Sequence, residues 1–362
     1  MLGVFTTLFA VIQFFSSPLL GALSDRFGRR PVILLSNLGL ALDYGVMALA
    51  PSLGWLFVGR AIAGLTSAGY AAANAYIADV TPPEQRAAAF GRVAAAFGLG
   101  FIIGPVMGGL LGQIDARLPF WVAGGLSLAN WTYGLFVLPE SLPVERRAAF
   151  SLARANPVGS LNLLRSHREL LGLAGANFLV QLANCVFASV WVLYVVDRYR
   201  WSPLWVGLSL AAVGVSVAVI QLGLTRRVVA VLGERRTVLA GHCCGAAGFC
   251  ICGLATQGWQ FMLGIPVLCL WGLASPSISS QMSRRVGPDE QGRLQGANAS
   301  ITSVASLFGP GLFSAVFALA LGYRAIDVRG APYLLAGAIL LLATTIAWRV
   351  TAGARRASRG AD

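Results

Sequence analysis

A chain of 362 residues that is 57% apolar, only 11% charged and +13 in net charge has too little polar surface to wrap one soluble core, because soluble domains carry about a quarter charged residues. Its 27 basic residues are all arginines, set in short loops between apolar stretches rather than on one face, which argues against nucleic-acid binding. What remains is a chain that crosses a bilayer many times.

Runs of about 20 apolar residues, long enough to cross a ~30 Å hydrocarbon core, predict eleven helical spans. In chain order they cover 1–20, 31–50, 55–78, 90–113, 118–138, 170–195, 203–224, 237–255, 259–282, 294–320 and 331–350. The chain enters the first span without a basic segment ahead of it, so no cleaved signal peptide is expected. Short loops make neighbouring spans antiparallel. The long connection carries Arg146, Arg147, Arg154, Arg165 and Arg168 with Pro143 and Pro157, and reads as an interfacial linker. The predicted organisation is an N-terminal bundle of five spans (1–138), a cytoplasmic linker (139–169) and a C-terminal bundle of six spans with a short basic tail (170–362).

Sorting the arginines by side tests the alternation. One side holds 21, from Arg26, Arg29 and Arg30 to Arg355, Arg356 and Arg359. The other holds five, Arg117, Arg198, Arg200, Arg324 and Arg329, with Arg60 left inside a span. Positive charge stays in the cytoplasm, which puts the rich side and the C-terminus there and the N-terminus outside.

An internal repeat links the halves. Pro83, Gly91, Gly104 and Pro105 stand 205 residues before Pro288, Gly296, Gly309 and Pro310, and the same offset aligns Gly28-Arg29-Arg30 with Gly233-Glu234-Arg235. By this offset the first half lacks one helix, expected ahead of Met1. Transporters built from such parallel repeats bind their solute near the midplane between the halves.

The turn after the first span runs from Gly21 through Asp25, Gly28, Arg29 and Arg30 to Pro31. Glycine permits a tight turn, Pro31 suits the start of a helix, and Asp25 can pair with the arginines or with a helix N-terminus. The turn is either a latch or a solvated turn whose charges only set topology. Asp79 closes the third span beside it. In the fourth span Gly100, Gly104, Pro105, Gly108 and Gly109 form a small-residue run that permits close helix packing, with a kink at the proline.

Two charges lie inside spans. Asp43 is about twelve residues, ~18 Å, from one end of its helix, and Arg60 about five residues, ~8 Å, from the opposite face. In a ~30 Å core these depths nearly coincide on adjacent helices, so the two are expected to interact, either as a structural ion pair or as a coupling pair. Gln13, Asn37, Asn74, Gln181, Asn184 and Gln281 are candidates to line a cavity, or else to bond helix to helix. Trp191, Trp201, Trp205 and Trp259 read as interface anchors. Cys185, Cys243, Cys244, Cys250, Cys252 and Cys269 read as small apolar residues. No metal spacing, nucleotide loop or nucleophile constellation stands out, so no enzyme, metal site or resident cofactor is expected.

The Gly21–Pro31 string resembles the signature loop of the major facilitator superfamily, and the Gly100–Gly109 run resembles the antiporter motif of its drug–proton exchangers. Together with Leu42-Asp43-Tyr44, Gly59-Arg60, Ala75–Asp79, Asn156-Pro157, Gln181, Asp197–Ser202, Gly207–Leu210 and Gln291–Gly296, the chain resembles the tetracycline efflux proteins of Gram-negative bacteria. The resemblance implies an all-α major facilitator fold of two pseudo-repeated bundles. It implies exchange of a tetracycline, chelated to a divalent metal such as Mg, for a proton across the inner membrane. Drug, protons and the lipid bilayer are the implied partners of a monomer, with Asp25, Arg29 and Asp79 as gate residues, Asp43 and Arg60 as embedded ones and Gln13 as a cavity contact. Two departures stand out: the family's first helix, with its acid, is missing, and Gly245 stands where the family tends to carry an acid, with His242 one turn earlier. Hence two alternatives stay open, an antiporter for another drug or metabolite, and a truncated, transport-inactive membrane protein.

Overall fold

A computed structural model describes residues 2–67, 69–82, 86–147, 168–283, 285, 291–322 and 328–359, and every regular element among them is helical. Readings that rest on Pro83, Arg154, Asn156, Pro157, Arg165, Pro288 and Arg324 lie outside the described residues. The chain divides into two compact units, Gly3–Asn156 and Pro157–Asp362. The predicted stretches lie largely on helices, with 55–78 divided between two, Leu53–Thr66 and Gly69–Val80. Among the described residues seven helical stretches are long and apolar enough to cross a membrane. One of them, Pro203–Leu254, is broken at Gly233 and contains two of the predicted stretches.

The first unit holds α1 (Leu2–Phe27), α2 (Arg29–Leu49), α3 (Leu53–Thr66), α4 (Gly69–Val80), α5 (Arg86–Ile114) and α6 (Leu118–Val137). Its centre is α2, which packs on α3, α4 and α6. Pro119 in the first turn of α6 fits the donor-free start of a helix. Along α5 several large apolar side chains are exposed, Phe97 and Leu99 at 67% and 59%. A helix with so much apolar side chain left uncovered belongs in hydrocarbon.

The second unit holds α7 (Arg168–Ser189), α8 (Trp191–Tyr199), α9 (Pro203–Val219), α10 (Thr225–Leu254), α11 (Gly258–Cys269), α12 (Ala274–Ser283), α13 (Gln291–Gly322) and α14 (Ala331–Arg359). A π turn, Ile220–Leu224, joins α9 to α10, and a 3-10 turn, Leu270–Leu273, joins α11 to α12. The Gln221 amide donates to the Gly272 carbonyl at 3.1 Å and so ties the two irregular turns together. A shallow apolar groove lined by Val215, Val219, Ile220, Pro266, Val267 and Leu270 runs along the same seam.

The core of this unit is aromatic. Trp191, Tyr194, Phe249, Phe261 and Tyr333 are wholly buried, with ring centroids 4.8 Å apart for Trp191–Phe261 and for Tyr194–Tyr333, the spacing of edge-to-face pairs. Here the interface reading of Trp191 is corrected. The break at Val190 turns α8 inward, and the indole N–H finds the Ser209 hydroxyl at 3.0 Å inside the bundle. Trp205 and Trp259 do remain exposed.

The sequence repeat has a backbone counterpart. Among the described residues Gly28 (φ 109°) and Gly233 (φ 75°) are the two glycines in the left-handed region, where a side chain is disfavoured. Each begins a helix whose neighbours match: α2 packs on α3, α4 and α6, and the limb of α10 beyond Gly233 packs on α11, α12 and α14. Pro105 and Pro310 each sit inside an unbroken helix, α5 and α13.

Candidate functional site

Asp43, on the inner face of α2, is wholly buried. Arg60 reaches it from α3, and the two form an ion pair in which the arginine side chain keeps 28% exposure. Gly59 makes the approach possible, because a Cβ there would stand 2.7 Å from Asp43 Oδ1. The guanidinium also donates to Met47 Sδ at 2.9 Å and lies 5.9 Å from the centre of the Phe9 ring on α1, within cation–π range. Asp43 Oδ1 and Arg60 Nε have no hydrogen-bond partner among the described residues.

About 21 Å away along α2, at 1.5 Å per residue, a second cluster closes the α1–α2 turn. Arg29 forms ion pairs with Asp25 and, at 3.2 Å, with Asp79 at the end of α4. It also donates to Ser24 Oγ at 3.2 Å. Arg30 instead reaches the Leu135 carbonyl of α6 at 2.6 Å. The turn itself is shaped by Gly28, whose N–H donates to the Ser24 carbonyl at 3.1 Å.

Glu140, just beyond α6, is the residue that sequence reasoning missed. Its carboxylate accepts the backbone N–H groups of Arg29 (2.8 Å), Arg30 (3.2 Å) and Leu142 (3.0 Å), and so caps α2 from across the fold. A side chain at Gly28 would run into this carboxylate. Ser141 adds a bond to Asp79 Oδ2 at 3.2 Å. The available signal was weak: Glu140 is one of only 14 acids in the chain and directly follows a span. Because helix caps contribute about 1 kcal/mol, Glu140→Gln is expected to lower the melting temperature of the purified protein by about 2–4 °C, the response of a unit of this size. Thermal unfolding in detergent measures it.

The remaining predicted residues are scattered. Gly21 lies on α1 with nothing near it, and a Cβ at Gly100, Gly104 or Gly108 would likewise meet nothing within 4 Å. Gly109 is buried and Pro105 half-buried. Close approaches within this unit are seen at Gly39 against Thr66 and at Gly59 against Asp43. Gln13 on α1, Asn37 on α2 and Asn74 on α4 are half-buried. Gln181 on α7 donates to Thr302 Oγ1 of α13 at 2.8 Å, the helix-to-helix alternative; Asn184 is exposed and Gln281 buried. The six cysteines are free thiols, and among the described residues no three His, Cys, Asp or Glu side chains are grouped to hold a metal ion.

Two charged clusters thus lie on one helix, α2, inside an apolar bundle. The profile of the Major Facilitator Superfamily matches residues 1–310. The chain belongs to the major facilitator superfamily. Superfamily membership and the seven apolar helical stretches make it a multi-pass membrane protein of a transporter family. It is similar to the Tetracycline resistance protein, class C, of Escherichia coli, 42% identical over 316 residues that make up 87% of this chain and 80% of that one. The class G protein of Vibrio anguillarum is 38% identical over 320 residues, 88% of this chain and 81% of its own. The crystal structure of a D-xylose-proton symporter superposes with a TM-score of 0.78, covering 96% of this chain and 86% of that one at 17% identity, a likeness of fold alone.

Proposed function

We propose that this superfamily member exports a drug from the bacterial cytoplasm across the inner membrane in exchange for a proton. The drug is a tetracycline, carried as its chelate with a divalent cation such as Mg2+. The names of the two relatives support the substrate class. The observation that carries the coupling is the buried Asp43–Arg60 pair in an apolar bundle.

The energetics fit the role. Removing one partner of a buried ion pair costs about 3–5 kcal/mol, and swinging a two-state equilibrium from 1:99 to 99:1 takes about 5.5 kcal/mol. One proton on Asp43 therefore neutralises the carboxylate, frees Arg60 and supplies most of the bias between two arrangements of the helices. The Arg29 cluster, at the cytoplasmic end of α2 by the arginine count, then holds or releases the α1–α2 turn as the bundle moves. No step needs a bond to the drug other than reversible binding.

Inside-out vesicles containing the full chain test this. With an acid interior they are expected to accumulate Mg–tetracycline, and a protonophore should collapse the gradient of drug. Uptake indifferent to the protonophore would refute the proton exchange. Proton-driven uptake of another drug, but not of tetracycline, would refute the substrate and keep the mechanism.

A further inference from the structure

Within the apolar stretches of the C-terminal unit, from 170–195 to 331–350, the sequence contains no Asp or Glu, one arginine, Arg349, near the end of the last stretch, and a single imidazole, His242. His242 lies on α10, wholly buried, and neither ring nitrogen has a hydrogen-bond partner among the described residues. Its position is a tight helix crossing. A Cβ on the neighbouring Gly241 would lie 3.2 Å from the Ala274 nitrogen and 3.3 Å from the Leu270 oxygen, and Gly245, one turn on, is pressed against Trp271 and Leu340. The ring therefore sits at the level where α10 meets the 3-10 turn, α12 and α14. Ser277 on α12 is buried with its hydroxyl equally unmatched.

Buried polar groups are almost always paired, and an ionisable side chain inside a membrane span is functional by default. Imidazole can take up a proton on one ring nitrogen and release it again. On the elements packed against α10 the titratable groups are Cys269 beside the 3-10 turn, Tyr333 and Arg349 on α14 with the arginines beyond it, and none on α12 or the π turn. On α10 itself the near ones are Cys243 and Cys244, with Glu234, Arg235 and Arg236 about two turns away. No carboxylate lies within the span to neutralise a charged ring, so a proton there is held transiently.

We infer that His242 is a second proton-binding site of the transporter, carried by the C-terminal unit, which takes one proton on a ring nitrogen and releases it once in each cycle. This rests on the antiport reading above. Asp43 and His242 then place one proton site in each unit of the repeat.

Two variants of the full-length protein in proteoliposomes decide it. His242→Met fills the apolar site with an apolar side chain, and His242→Gln keeps a polar one. Drug counterflow with no pH gradient measures binding and movement, and accumulation driven by a pH gradient measures coupling. Both variants are expected to keep counterflow within about twofold of wild type and to lose accumulation at least about tenfold. The pH profile of turnover should flatten in both variants, because neither methionine nor glutamine can take up and release a proton. Wild-type accumulation with an unchanged pH profile in either variant overturns the inference. Equal loss of both modes in both variants overturns it too, because the ring would then be structural. If the wild type itself shows counterflow but no gradient-driven uptake, the antiport reading fails first and takes the second proton site with it.

Discussion

Asp43→Asn is expected to reduce proton-driven drug accumulation at least about a hundredfold, the scale on which a positioned proton-transfer group acts. Asparagine matches aspartate in size but cannot take up and release a proton. It also takes away the negative charge opposite Arg60, leaving an amide oxygen beside Met47 Sδ and the Phe9 ring. An unpaired guanidinium at this depth should cost about 3–5 kcal/mol of stability, so folding and coupling must be separated. The double change Asp43→Asn with Arg60→Gln removes both charges and should recover most of the thermal stability without recovering accumulation. Vesicle uptake and thermal unfolding of both variants measure the two effects. Undiminished accumulation by Asp43→Asn would mean that the pair is purely structural.

The second large effect is expected at Arg29. Arg29→Lys keeps the charge but replaces a planar fork with a point donor, which cannot span Asp25, Asp79 and Ser24 together. Asp25 is half exposed, so its pair is heavily screened and counts for little. The Asp79 pair, with side chains 14% and 25% exposed, counts for more. A combined loss of about 1–2 kcal/mol is a factor of roughly 5–30 in a two-state equilibrium. Drug turnover in vesicles should fall by a similar factor. A cycle with Asp79→Asn checks the assignment, since contacting residues are non-additive by about 0.5–3 kcal/mol. Strict additivity would show that the Arg29–Asp79 bond does not contribute.

Much of this architecture could be read from residue order because a bilayer leaves few choices. A run of apolar residues in lipid must satisfy its own backbone, and only a helix does so within one segment; the predicted stretches are largely helical for that reason. The meeting of Asp43 and Arg60 followed from counting depth along two antiparallel helices. Glu140 was not legible in this way. Its partners are the N–H groups of Arg29 and Arg30, 111 and 110 residues earlier, and a backbone donor leaves no mark in the sequence. Trp191 misled for a related reason: tryptophan near the end of a span is usually an interface anchor, but the break at Val190 and the hydroxyl of Ser209 draw it inward. The π turn at Ile220–Leu224 lies in an unremarkable apolar run, so nothing in its composition announced it.

That π turn and the adjacent 3-10 turn have a mechanical consequence. Irregular turns hold their backbone with weaker hydrogen-bond geometry than an α-helix does, and here both lie on one seam, bridged by the Gln221 amide. The aromatic block around Trp191 and Phe261 is, by contrast, interlocked. The C-terminal unit is thus a stiff body with a compliant strip. Bending strain delivered to its helices collects in that strip, and the aromatic block keeps its shape while the helix ends tilt.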